Sequence, residues 1–307
     1  MKLCSPAKIN LFLHVVGKRP DGYHDLFSLI CPVGIFDAVS ISFQGSEITT
    51  TCNDPLVPDD ESNLAYRAAK GFLDQLGRSA SAGFRGIRIA IEKQIPVGAG
   101  LGGGSGNAAA VLWGLNHSLG RPFNKKILLK IGLSIGADIP FFIFSRPALA
   151  RGVGEKLKGY HGLHPYSAVI LFPGFSVSTA EVFRSFNFGL TSCERKLNYT
   201  SFIKHKFDVK HHLWNDLEGV TASRHSEINE IKTALCEQGA LGALMTGSGP
   251  SVFGLFKTRK KAEAAAAALK RQAGHKVFCC DLITRPIRFD TILPEGRFDN
   301  AWGVVKR

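Results

Sequence analysis

Between Pro96 and Asn107 the chain places six glycines, at positions 98, 100, 102, 103, 104 and 106. A strand pattern, Ile87-Arg88-Ile89-Ala90-Ile91-Glu92-Lys93, leads into this stretch, and Ala108-Ala109-Ala110 opens a helical pattern after it. Glycine loses more conformational freedom on folding than any other residue, so this density needs a use. Tight packing is one use. The other is to let backbone N–H groups converge on an anion with no side chain in the way. The following helix adds unpaired N–H groups and the positive end of its dipole. A strand–loop–helix unit with a phosphate at its centre is the expected consequence.

Known phosphate loops differ in what accompanies the glycines. The P-loop requires a lysine directly after its last glycine. Here Gly104 is followed by Ser105-Gly106-Asn107, which excludes it. Gly98, Gly100 and Gly103 meet the dinucleotide spacing G-x-G-x-x-G. That fingerprint also needs an acid about twenty residues on to hold the ribose, and residues 108–137 contain neither Asp nor Glu.

A length of 307 residues with 45% apolar content supports two packed lobes or one large unit, and argues against disorder. The formal charge of +13 suits nucleic acid, an anionic surface or a polyanionic small substrate. The basic residues are dispersed, and the runs Lys257–Lys261 and Lys204–Lys206 are short, so solvated faces are the simpler reading. No segment has the length of a membrane-spanning helix, and the first residues lack the apolar block of a signal peptide. A cytoplasmic protein with no membrane partner is expected. The seven cysteines form no C-x-x-C pair, which suits reduced thiols. The pairs His161/His164 and His211/His212 lack companion ligands, so no metal site of the protein's own is expected.

Residues 7–16 alternate as a half-buried strand with Lys8, Asn10 and His14 in a row on one face, turned either to water or to the floor of a site. Lys18–Gly22 is a turn, and residues 23–29 and 37–43 read as strands. Ser62-Asn63 can cap a helix reaching Leu76. A helix from about Ser105 to Leu119 follows the glycine loop, then a second from Asn124 to Ile135, and Phe141–Phe144 reads as a buried strand. Ser178-Thr179 caps a helix, helix is expected near 224–238, and two strands flank Thr246–Pro250. Strand pairs without strict strand–helix alternation predict an α+β fold of two lobes, with mainly antiparallel sheets packed by helices. The expected division is 1–155, 156–283 and a tail at 284–307, the first boundary lying near 146–165.

Several segments together resemble the GHMP small-molecule kinases: Pro6-Ala7-Lys8-Ile9-Asn10-Leu11, Pro96 to Ser105, and Gly247-Ser248-Gly249. With Arg19-Pro20-Asp21-Gly22-Tyr23-His24, Gly136–Phe141 and Arg151–Glu155, the likeness narrows to the branch of that family whose acceptor is 4-diphosphocytidyl-2-C-methyl-D-erythritol. It covers about residues 6–283. The resemblance implies ATP as co-substrate, Mg²⁺, and an acceptor alcohol bearing cytidine diphosphate. It implies Lys8 and Asp138 as the catalytic pair. It places Lys93, Asn63 and the loop Pro96, Val97, Gly98, Ala99, Gly100, Leu101, Gly102, Gly103, Gly104, Ser105 and Gly106 at the nucleotide. It places Asn10, Tyr23, His24 and Thr179 at the acceptor. The family usually has a serine where this chain has Gly106, which leaves one fewer hydroxyl at the phosphates. A monomer or weak homodimer without nucleic acid is expected. The alternatives are a GHMP kinase for another alcohol, such as mevalonate or homoserine, and a basic nucleic-acid-binding protein.

Overall fold

The computed structural model describes residues 1–77, 86–187, 206–272 and 274–287. Cys193, residues 195–205 of the basic stretch and 288–307 of the tail lie outside the described residues. In chain order the strands are β1 (Lys2–Lys18), β2 (His24–Phe43), β3 (Ile48–Cys52), β4 (Ile87–Glu92), β5 (Ala148–Gly152), β6 (Lys156–Gly159), β7 (Ser167–Phe172), β8 (Trp214–Asn215), β9 (Gly242–Met245), β10 (Val252–Phe256) and β11 (Lys276–Asp281). The helices are α1 (Leu64–Leu76), α2 (Gly103–Ser118), α3 (Lys125–Ile135), α4 (Ile139–Phe144), α5 (Thr179–Ser185), α6 (Val209–His212), α7 (Glu218–Ala222), α8 (Glu227–Glu237) and α9 (Arg259–Gln272).

Two sheets lie at the centre. The first runs β3-β4-β2-β1-β8, with β5 on β2 and β6 on β5. The second runs β11-β7-β10-β9 and is antiparallel throughout. The first is mixed: β3/β4 and β1/β8 pair in parallel. Parallel neighbours need a crossover, and α1 lies within the one that joins β3 to β4. Helices α1 to α4 cover the outer face of the first sheet around Phe72, Leu112, Phe141 and Phe142. Ile9, Leu29, Ile170 and Phe253 fill the space between the sheets. Helices α8 and α9 cover the far face of the second sheet.

Three sequence expectations change. Phe12 joins Ala7, Ile9 and Leu11 in the core between the sheets, whereas strict alternation puts it on the other face. The β1/β2 register shifts between Asn10 and Phe12, and such a bulge reverses the parity of the residues that follow, up to the next shift between Val15 and Gly17. The segment Phe141–Phe144 is the end of helix α4, not a strand. A four-residue apolar run has no period of its own, and Pro140 fits the first turn of a helix, where no ladder N–H is needed. Helix α2 also begins two residues earlier than expected, at Gly103.

Candidate active site

Lys8 and Asn10, whose row left water and site equally open, are buried at 5% and 4% exposure. They face a cleft of about 540 Å³ bounded by the glycine loop, the start of α2, the 246–249 turn and Thr179 at the head of α5. The glycine loop reaches across both sheets. Lys8 N donates to Leu101 O at 2.9 Å, and Ser251 N donates to Ala99 O at 3.3 Å. Gly100 has φ +76°, and a Cβ there would lie 2.7 Å from the carbonyl oxygens of both Thr246 and Gly249. Gly102 has φ +72° and forms the N-cap of α2, with no room beside the Phe142 ring. Both positions demand glycine for conformation and for space.

The Lys8 ammonium donates to Asn10 Oδ1 at 2.8 Å and lies 3.8 Å from Asp138 Oδ2. Asp138 is the N-cap residue of α4, yet its carboxylate makes no capping bond. Its side chain is 45% exposed, so it needs no cation to offset burial; it faces the cleft with solvent access. Asn10 is fixed on all sides: Nδ2 donates to Ser28 Oγ at 2.9 Å, and its backbone N donates to Thr246 Oγ1 at 3.0 Å.

Lys93 forms an ion pair with Asp37, and both side chains are almost fully buried. Asp37 Oδ1 also accepts from the N–H groups of Gln94 and Ile95, at 2.8 and 2.9 Å. The Lys93 ammonium lies beneath the start of α2, 2.8 Å from where a Cβ on Gly103 would be. Asn63 lines the cleft, but its amide is occupied: Oδ1 accepts from Ala65 N at 2.8 Å and Nδ2 donates to Pro58 O at 2.6 Å. Ser105 lines the cleft within the first turn of α2, and Gly102 takes the N-cap position. Gly106 faces away from the cleft, and a Cβ there would lie 2.5 Å from Ser5 Oγ. Leu101 is buried in the core between the sheets and contributes its carbonyl to Lys8.

At the other end of the cleft, Thr179 Oγ1 and Ser248 Oγ share a hydrogen bond of 2.8 Å. Phe183 lines the cleft and stacks on His24, with ring centroids 5.2 Å apart. His24 is thus one ring behind the cleft wall. Burial, with Lys18 nearby, pushes its imidazole below the ordinary histidine pKa. Tyr23 stands 61% exposed at the β1–β2 turn, outside the wall.

Sequence reasoning missed several residues here. Asp37 was detectable as a lone acid in an apolar strand. Asn107 stands before three alanines; it lines the cleft at 3% exposure, with its Oδ1 unpartnered. Asn215 has no local signal: its Nδ2 donates to Met245 O and Gly247 O, both at 2.8 Å, and so holds the second glycine turn. Among the described residues no cluster of three His, Cys, Asp or Glu could hold a metal. Of the described residues that line the cleft, Asp138 is the one carboxylate, and Ser105 sets a hydroxyl in the first turn of α2; so few oxygen ligands would fit a Mg²⁺ held mainly by a phosphate ligand and water.

Two family models match this chain: GHMP kinases N terminal domain over residues 63–146 and GHMP kinases C terminal over 206–276. A relative from Syntrophotalea carbinolica, named 4-diphosphocytidyl-2-C-methyl-D-erythritol kinase, is 45% identical over 90% of this chain and 97% of its own length. The chain belongs to that family of GHMP kinases. A relative of the same name from Pelobacter propionicus is 43% identical over 89% of this kinase and 96% of its own length. A crystal structure of 4-(cytidine 5'-diphospho)-2C-methyl-D-erythritol kinase superposes with a TM-score of 0.76 at 35% identity, covering 92% of this kinase and 99% of that chain. A homoserine kinase from Cytophaga hutchinsonii, 21% identical with a TM-score of 0.69, shares the fold over 93% of this chain and 95% of its own.

Proposed function

We propose that this kinase transfers the γ-phosphoryl group of ATP to the 2-hydroxyl of 4-diphosphocytidyl-2-C-methyl-D-erythritol, a step of the non-mevalonate (methylerythritol phosphate) route to isoprenoid precursors. The observation that carries the reading is the placement of Lys8 against Asp138 beside the N-terminal end of α2. The glycine loop and the first N–H groups of α2 hold the ATP phosphates, with Ser105 adding a hydroxyl. Ser105 would also meet a Mg²⁺ bound to those phosphates, and such an ion would supply neutralisation of their charge. The acceptor hydroxyl gives its proton to Asp138. Its oxygen then bonds to the γ-phosphorus as the bond to the bridging oxygen breaks, and ADP leaves with that electron pair. Lys8, locked by Asn10, orients the carboxylate and offsets the charge that develops. Phe183 offers its ring face to the cytosine with His24 stacked behind it, the exposed Tyr23 meets the cytidine end from outside the wall, and Thr179 and Asn10 meet the rest of the acceptor.

In this reading residues 1–155 form the ATP-binding part and 156–283 the second part. The kinase works in the cytoplasm as a monomer or weak homodimer, without nucleic acid. No helix among the described residues is long and apolar enough to cross a membrane. The test is ATP consumption with the cytidyl alcohol, mevalonate and homoserine side by side. Turnover with the cytidyl compound alone is expected, and its absence overturns the assignment. Asp138→Asn should lower kcat by about 10³-fold, the scale of a lost general base, and leave ATP binding intact. Turnover like that of the unaltered kinase would remove Asp138 from the chemistry.

A further inference from the structure

At the far end of α2 a second cavity of about 410 Å³ opens between α2, α3 and α4. Its wall sets the apolar side chains of Trp113, Phe123 and Ile143 beside the cationic Arg121 and Lys125, with His117 between. Arg146 adds a third cation: its guanidinium and the Lys125 ammonium lie 4.8 and 4.9 Å from the centroid of one ring, Phe144. Among the described residues, none of these three cations pairs with a carboxylate. A ring face attracts a cation but does not neutralise it. Burial and the Arg146 charge hold the Lys125 ammonium below its ordinary pKa, as expected where like charges share a concave, partly dry site.

A second observation points the same way. His117 Nδ1 is buried without a hydrogen-bond partner, while its ring stacks on Trp113 at 5.3 Å and 9°. The turn that presents Arg121 is held firmly. Asn116 clamps Phe123 through both amide atoms at 3.0 Å, and Arg121 N donates to Asn116 O at 2.7 Å.

We propose that this cavity is a binding site, separate from the catalytic cleft, for a small phosphate-bearing organic anion with an apolar body. The phosphate sits on Arg121 and Lys125, for which the guanidinium fork provides two parallel donors. The apolar body lies against Trp113 and Ile143, and His117 Nδ1 takes part in a hydrogen bond with the ligand. The volume is in the range of small-ligand sites. Ser145, at the C-terminal end of α4, lines the cavity, and Asp138 caps the other end of that six-residue helix. An occupant therefore touches the helix that carries the catalytic carboxylate.

The test uses the full chain with its cleft saturated by a non-hydrolysable ATP analogue and Mg²⁺. Phenylphosphonate and inorganic phosphate are titrated by calorimetry, and the His117 ring nitrogens are followed by ¹⁵N NMR. Saturable binding of phenylphosphonate is expected, about ten-fold or more tighter than inorganic phosphate for a buried ring, with a shift at the His117 nitrogens. Arg121→Gln and Lys125→Gln, both exposed and outside the catalytic machinery, should each weaken it about ten-fold while turnover with ATP is unchanged. Loss of binding when the analogue fills the cleft places the anion there and overturns the proposal. Unchanged affinity in both variants, or no saturation, overturns it as well. Equal affinity for inorganic phosphate overturns the apolar half of the ligand.

Discussion

Asn107 shows what one buried side chain can report. Its amide is almost fully enclosed and its oxygen has no partner. An unsatisfied buried amide costs about 1–3 kcal/mol, so it is retained where a ligand completes it. Under the proposed function that ligand is the nucleotide. Asn107→Ala should raise the KM for ATP about ten-fold, one lost hydrogen bond of about 1.4 kcal/mol, and leave the urea midpoint of the free kinase level or higher. A KM for ATP that does not move would make Asn107 a packing residue. Gly106 carries the opposite lesson. The serine usual at this position suggests a lost phosphate hydroxyl, but the position faces Ser5 and Pro6 across the β1–α2 contact. Spacing along a helix gives a residue's turn, and only the packed neighbours give its direction.

At the scale of elements, the glycine loop is held at its base by a buried ion pair. Asp37 on β2 accepts from Lys93 and from two N–H groups that lead into the loop. Removing one partner of such a pair leaves an uncompensated charge, at a cost of about 3–5 kcal/mol. Asp37→Ala should lower unfolding stability by about 3 kcal/mol, at the lower end of that range because the freed ammonium can turn toward the cleft. Urea denaturation measures it, and a loss below about 1 kcal/mol, the worth of a surface pair, would mean the pair is not buried in solution. The loop was readable in the sequence because glycine density and flanking periodicity are local properties. The pairing of Lys93 with Asp37 was not, because 56 positions separate them and strand register alone brings them together. Helix α4 was misread for a related reason: the run Phe141–Phe144 fits a buried strand as well as a buried helix until α2 and α3 pack against it.

The whole molecule is four layers, helices, sheet, sheet, helices, and the middle core belongs to both sheets. Further ties cross between the two sheets: Asn10 N to Thr246 Oγ1, Ser251 N to Ala99 O, and Asn215 to the 245–247 carbonyls. Strand β8 returns from the second half to pair with β1. Two lobes that share a core should unfold together. A calorimetric scan of the kinase should show one transition, and residues 1–155 expressed alone should expose the inter-sheet face and fail to fold. Two separate transitions would show that each lobe holds its own core.

The sequence by itself determined the strand–glycine loop–helix unit, the exclusion of the P-loop and dinucleotide alternatives and the α+β class, and its resemblance to the GHMP kinases pointed to the pair Lys8 and Asp138. Each rests on residues close together in the chain or on motifs that keep their spacing. The tertiary structure decided what depends on distance. It turned Lys8 and Asn10 toward the cleft, since a bulge and a second sheet give one face of β1 a ligand space to line. It left Asp138 half-exposed at the head of a helix, set Phe183 over His24 while Tyr23 stays outside, and brought Arg121 and Lys125 to the wall of a second cavity, with Arg146 sharing the Phe144 ring with Lys125. Chemistry between side chains follows separation in space, and separation in space is fixed only when the layers pack.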